Sequence, residues 1–316
     1  MSRLTDLLRC ELPIQLAPMG SVSVTPALPL AVAGAGGHAV YPALAMPPAA
    51  LGPAIDALSA GGGPAFGVNF LVPLMVAESV ELAAERAPYV DFFLAEPDPG
   101  VVARVHAGGA LCGWQVEAPD EARAAEAAGC DVVVAKGWES GGRKRIEGPA
   151  LLPLLDAVLD AVSVPVLAAG GIATARGVAA AMAAGADGVR VGTRFIAATE
   201  SDAHPAWQRA IVEAGADESV MSMAFNAGMP VPGPHRVLRR SIEAAEALAR
   251  DDAGVVRMGG MELPVARFAP MPPTRESTGA IEAMPFYAGQ SAGAVTAIRP
   301  AAEIVRELAA GVRLAA

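Results

Sequence analysis

The sequence is poor in aromatic residues, in charge, in histidine and in cysteine. Aromatics make up 4% of its 316 residues and charged residues 18%; there are four histidines and three cysteines. Each scarcity excludes something. Cys10, Cys112 and Cys130 are odd in number and scattered, which rules out a disulfide framework and gives no metal-ligand spacing, so they read as small core residues. The net charge of −10 argues against nucleic acid or an anionic membrane as partner. No uninterrupted apolar run reaches the roughly 18 residues of a membrane span. The opening "MSRLTDLLRC" lacks the apolar core and cleavage site of a signal peptide, so a cytoplasmic protein is expected.

What is present is apolar and small: 53% hydrophobic residues, dominated by alanine, with 34 glycines. Short apolar runs alternate with amphipathic stretches. Candidate strands are "PIQLAPM" (13–19), "LAVAGAG" (30–36), "FGVNFLV" (66–72), "VDFFLAEP" (90–97), "LCGWQVEA" (111–118), "DVVVAKGW" (131–138), "VPVLAAGG" (164–171) and "DGVRVGTR" (187–194). Near-continuous apolar runs mark strands covered on both faces, as in parallel sheets. Eight of them with helical returns predict a TIM (β/α)8 barrel, with a doubly wound open sheet as the runner-up. The first connection is the exception, being too short for a full crossover helix. Residues 200–285 lose the period, and seven of the 12 methionines fall between 221 and 284. This predicts a helical or irregular lid or pocket-wall subdomain inserted after strand eight, with 1–199 and 286–316 forming the barrel. Flexible thioethers suit an adaptable apolar surface.

In such a barrel the chemistry sits at the carboxyl ends of the strands. Those ends carry Met19–Gly20, "GAGGH", Asn69, Glu96, Gln115, Lys136, Gly170–Gly171 and Gly192–Thr193. Glycine turns after strands seven and eight lie where barrels commonly bind phosphate, since glycine lets loop amides approach an anion without a Cβ in the way.

The blocks "PIQLAPMG", "GVNF", "VVVAKGWESGG", "PVLAAGGIATARGVAAAMAAGADGVRVGTRF" and "YAGQSAG" resemble the nitronate monooxygenase (2-nitropropane dioxygenase) family and the related flavin-dependent enoyl-thioester reductases. The resemblance implies FMN at the barrel mouth. It implies cofactor contacts from Asn69, Gly141, Gly142, Gly170, Gly171, Arg190, Gly192, Thr193 and the backbone of Pro18, Met19 and Gly20. It also exposes departures. Lys136 replaces the family's glutamine, Arg143 its catalytic histidine, and Arg190 another glutamine. An arginine stays protonated and cannot take a proton from carbon, but it can hold an anion or stabilise developing negative charge. Lys136 reads either as a salt-bridge partner of Glu139 or Glu96, or as a cation at the flavin that favours its anionic reduced form. His38 is the candidate acid, base or substrate-orienting group, ahead of His235 in the lid, His106 and His204. Trp138, Glu139 and Gln290 complete the expected substrate contacts, with Glu139 as an orienting group.

The reading is thus an FMN-dependent oxidoreductase acting on a nitronate or similar carbanionic small molecule with an apolar tail, with no metal, in a chain that could form a homodimer. The alternatives are an enoyl-thioester reductase using NAD(P)H as electron donor, a non-catalytic flavin carrier, and a phosphosugar barrel without flavin.

Overall fold

The computed structural model describes residues 3–144, 147–229 and 232–315. Eight parallel strands close a barrel: β1 (Ile14–Leu16), β2 (His38–Pro42), β3 (Phe66–Leu71), β4 (Tyr89–Phe93), β5 (Leu111–Val116), β6 (Val132–Lys136), β8 (Val166–Ala169) and β9 (Gly188–Val191). Between β6 and β8 lies the short β7 (Gly142–Arg143). Alternation sorts the side chains. On β6, Val133 and Ala135 face the helices, while Val132 and Val134 join Leu4, Leu8, Val40, Tyr89 and Leu167 in a separate inner cluster. The helix Arg3–Leu8 supplies Leu4 and Leu8 to that cluster. Lys136 is the next inward position after Val134, at the carboxyl rim. A buried strand ends on lysine because its last inward-facing residue stands at the barrel mouth.

One predicted strand is wrong. Residues 27–34 form a helix, and the strand is "HAVYP", starting at His38. A short apolar run fits a buried helix as well as a strand, and periodicity alone does not separate them. Gly36, with φ +89°, ends the connection. The missing crossover helix is thereby supplied, and His38 moves from the far end of a strand to its start.

Beyond the barrel, the helix Pro205–Glu213 packs Trp207, Ala210 and Ile211 into the main core. Next come β10 (Ser219–Ser222) and β11 (His235–Leu238), which form a three-stranded sheet with β7 in the order β10–β11–β7. A second small sheet joins β12 (Asp252–Met258), β13 (Met261–Ala266) and β14 (Thr278–Gly279). These elements carry small cores of their own, one around Phe225, Val237, Ala245 and Ala283 and one around Ala253, Val256, Val265 and Met284. The final helix, Ala301–Ala315, packs Ile304, Val305 and Leu308 into the main core.

Candidate active site

One cavity of about 680 Å³ opens at the carboxyl ends of the barrel strands. Its lining includes Pro18, Met19, Gly20, Asn69, Lys136, Gly141, Gly142, Gly170, Gly171, Arg190, Gly192 and Thr193, so the structure brings every residue expected to hold a cofactor to one cavity. The apolar part of the lining comes from Leu44, Leu71 and Phe93 at and just beyond the strand ends and from Met229, Met258 and Met271 of the segment after the barrel. Three of the clustered methionines therefore do face the pocket, whereas Met284 is core and Met223 and Met261 are exposed. Leu44 and Leu94, both on the cavity, hold positive φ (41° and 70°), a conformation non-glycine residues tolerate mainly where surroundings enforce it.

The glycine turns form a cradle. Gly170 (φ +115°) and Gly171 (φ +71°) occupy backbone conformations that disfavour a side chain, and a Cβ on Gly170 would come within 3.2 Å of Ser140 Cβ and backbone. A Cβ on Gly141 would fall 2.6 Å from Gly289 N, whose N–H donates to Thr193 Oγ1 at 2.9 Å. Ser140 Oγ, on the cavity wall, is buried with no hydrogen-bond partner, which is the donor a phosphate would satisfy. Sequence reading missed Ser140, because a serine in a glycine-rich turn carries no signal until its burial is known.

Across the barrel centre runs a continuous polar chain. Gln15 Nε2 donates to His38 Nδ1 (2.9 Å), Arg190 Nε donates to Gln15 Oε1 (2.6 Å), Arg190 pairs with Asp91, and Asn69 Nδ2 donates to Asp91 Oδ1 (2.7 Å). All five are fully or almost fully buried. Burial, with Arg190 adding to it, pushes His38 down to about 3, so its imidazole is neutral. The structure contradicts the placement of His38 at the mouth: it does not line the cavity, and its ring lies beneath Arg190 in the chain to Gln15. As substrate-orienting group or base it is withdrawn.

At the end of β6 the charges are arranged otherwise. Lys136 Nζ donates to Arg143 O (2.5 Å), lies 3.6 Å from Glu117 Oε1 and sits 4.0 Å above the Phe93 ring. Lys144 Nζ donates to Gly137 O (2.5 Å) and lies 3.4 Å from the same Glu117 oxygen. These are the only lysines in the chain. Burial lowers both, Lys144 to about 7 with the Lys136 charge adding to the effect. The lysine partner is Glu117, not Glu139 or Glu96. Lys144 was not anticipated.

Three expected substrate contacts lie off the cavity lining. Glu139 accepts the Leu151 N–H with both carboxylate oxygens (3.0 and 2.9 Å), capping the helix Leu151–Leu159. Trp138 packs between Lys144 and Arg236, its ring 5.8 and 6.0 Å from their cations. Gln290 is exposed. Each belongs to the loop scaffold behind the pocket. Arg143 does line the cavity, its guanidinium so close to Gly233 that a Cβ there would meet Nη2 at 3.2 Å. Directly across the β7–β11 pair stands His235, also on the cavity and stacked on Tyr287 (centroids 5.5 Å, planes 30° apart).

A closed parallel barrel with a pocket of this size at its carboxyl rim, lined by glycine turns and apolar side chains, defines a barrel enzyme that works on a small molecule at its strand ends. The chain belongs to the nitronate monooxygenase family, whose sequence profile matches residues 73–311. It is therefore an oxidoreductase, and the family implies a flavoprotein. It is 36% identical over 265 residues to the (3aS,4S,5R,7aS)-5-hydroxy-7a-methyl-1-oxo-octahydro-1H-indene-4-carboxyl-CoA dehydrogenase of Mycobacterium tuberculosis, covering 81% of this chain and 72% of that one. Matches to other curated relatives span 42% to 44% of their length. Among solved structures, FabK from Thermotoga maritima superposes with a TM-score of 0.79 at 31% identity, covering 100% of this chain and 96% of that one. A nitroalkane oxidase from Streptomyces ansochromogenes gives 0.76 at 30%, covering 99% and 98%. Among the described residues no cluster could hold a metal ion, and no helix is long and apolar enough to cross a membrane.

Proposed function

We propose that this protein is an FMN-dependent oxidase of nitronates and similar carbanionic small molecules with an apolar body. The observation that carries the reading is a pair of buried lysines on a largely apolar cavity: Lys136 and Lys144 both lie against one Glu117 oxygen, and Arg143 lines the cavity as well. A site of this kind favours a ligand that arrives with, or develops, negative charge. FMN fits the cavity on the chain's own features, namely the cradle of Gly141, Gly170, Gly171 and Gly192 and the unsatisfied Ser140 hydroxyl for its phosphate. When bound, it supplies a two-electron acceptor that dioxygen can reoxidise. Lys136 stands where it holds negative charge on cofactor or substrate, and Arg143 orients the oxygens of the anion. The wall of Leu44, Leu71 and the three methionines excludes water and takes the apolar body. The segment that carries Met229, Met258 and Met271 serves as the lid that completes this apolar lining. The protein works in the cytoplasm.

A second reading is a thioester oxidoreductase, acting through NAD(P)H or by removing hydrogen from an acyl thioester. Its support is the broad apolar wall, larger than a small nitronate fills, together with the similarity to a carboxyl-CoA dehydrogenase and to FabK.

The deciding experiment is an anaerobic visible spectrum of the FMN-reconstituted protein, titrated separately with propane-2-nitronate, NADPH and NADH and then opened to air. Bleaching by the nitronate with rapid recolouring in air is the expected result. Bleaching by NAD(P)H alone transfers the assignment to the reductase. Bound FMN that nothing reduces indicates a carrier, and failure to take up FMN indicates a phosphosugar barrel.

A further inference from the structure

His235 is the only histidine lining the cavity among the described residues, and it is 2% exposed. Its tautomer is fixed from outside. Asn226 Nδ2 donates to the carbonyls of Met223 and Gly233, both at 2.9 Å, which settles that Oδ1 is the acceptor. That oxygen accepts the Gly233 N–H at 2.9 Å and faces His235 Nε2 at 3.3 Å. An amide oxygen facing the lone pair of a ring nitrogen would repel it, so Nε2 carries the proton and Nδ1 a lone pair. Nδ1 is buried and has no partner. A buried acceptor without a donor is costly unless a ligand supplies one. The ring cannot turn away, because Tyr287 stacks on it and Asn226 holds its far edge.

Resting on the reading of this cavity as a carbanion site, we propose that His235 is its proton acceptor: Nδ1 takes the proton from a carbon next to a nitro or thioester group. The C–H bond breaks, its electron pair delocalises onto the nitro or carbonyl oxygens, and the proton ends on Nδ1 as imidazolium. Arg143, paired opposite in the β7–β11 register, faces the oxygens that gain the charge. The protein is then not confined to substrates that arrive ionised. The charged and titratable groups facing His235 are Arg143, Lys136 and the Tyr287 phenol. Burial, then the Arg143 and Lys136 charges, holds the imidazole down to about 4, so it is unprotonated and available throughout the neutral range. As negative charge forms beside Arg143, the field opposing imidazolium is offset.

The test is α-proton exchange of nitroethane in D2O, followed anaerobically by proton NMR, a reaction that needs no electron transfer. The wild type is expected to catalyse exchange, His235→Gln to lose about 10²–10³-fold, and the rate to stay level from pH 8 to pH 5 instead of falling near 6.5. Exchange that persists in His235→Gln, or that is absent in the wild type, overturns the proposal. Because exchange is independent of oxidation, a wild type that exchanges nitroethane but oxidises no nitronate keeps His235 as the acceptor and removes only the oxidase reading. Nitrogen-15 NMR of the wild type without flavin gives a second readout should the variant not fold. An unprotonated Nδ1 and protonated Nε2 from pH 8 to pH 5 are expected, and a proton on Nδ1 overturns the assignment.

Discussion

Two buried ionic groups lie within one barrel and follow opposite plans. At the centre, Arg190 meets Asp91, and each is further held by an amide, Gln15 on one side and Asn69 on the other. At the end of β6, two ammoniums converge on one Glu117 oxygen. The first group sets one arginine against one carboxylate, each also held by an amide, although Arg190 Nη1 and His38 Nε2 have no hydrogen-bond partner. The second sets two lysines against one shared carboxylate oxygen and opens on the cavity. An arginine facing its own carboxylate stabilises the fold around it, whereas two lysines sharing one carboxylate oxygen at a cavity keep donor capacity that a ligand can use. Arg190 touches the cavity as well, but with its charge already answered. Position at the rim alone does not make a charge available for chemistry.

The contrast is broken most severely by Asp91→Ala. Removing the carboxylate leaves Arg190 buried and uncompensated, and losing one partner of a buried pair costs about 3–5 kcal/mol. Urea unfolding should show a lowered midpoint of that size, and a loss below about 1 kcal/mol would mean that the centre is not the ion pair described.

The lysine cluster should answer in the other sense. A lysine in the unfolded chain keeps its proton until about 10.5, but Lys144 in the fold releases it near 7. Between those values the unfolded chain binds more protons, so stability contributed by this group rises with pH. Below pH 7 the full penalty of a buried ammonium is present. Wild type should therefore gain on Lys144→Met by up to about 1 kcal/mol per pH unit from pH 7 toward 10, and the variant should be the more stable protein at pH 6. Parallel urea midpoints across that range would show that Lys144 titrates normally.

A smaller effect separates charge from packing at the same place. Lys136→Gln removes the ammonium and installs the residue the family usually carries. The expected outcome is about a tenfold rise in the nitronate KM, the size of one charge-assisted contact, with little change in the urea midpoint. An unchanged KM would place the anion elsewhere in the cavity.

Much of this was legible in the sequence, for identifiable reasons. Most strand ends were, because a small or polar residue closes an apolar run, as in "VVVAK"; Leu71 and Phe93, which also line the cavity, gave no such signal. The glycine cradle was, because paired glycines after two consecutive barrel strands have a specific meaning. The partner of Lys136 was within reach but missed: the β5–β6 register pairs Val116 with Ala135, so Glu117 stands one step on, beside Lys136. His38 was misplaced because a seven-residue apolar run does not reveal whether it is helix or strand. His235 was undervalued because its meeting with Arg143 depends on β11 pairing with β7 across some ninety residues of chain, and no local pattern encodes that.

Glu139 marks the lower limit of the comparison, a carboxylate one loop away from the two lysines that serves neither group. Both its oxygens accept the Leu151 N–H, at the start of a helix whose first turn has no other side-chain cap. An anion there satisfies an orphan donor and complements the helix dipole. Glu139→Ala should cost about 1 kcal/mol in the urea midpoint, while Glu139→Gln, which keeps one acceptor oxygen, should recover most of it. The flavin dissociation constant is expected to move less than about threefold in either variant, since a group behind the loop contributes at most a few tenths of a kcal/mol through it. A larger loss of flavin in Glu139→Ala, restored by glutamine, would instead show that this cap holds the Ser140–Gly141 turn in its binding shape, and that the cradle owes its form to a helix end outside the pocket.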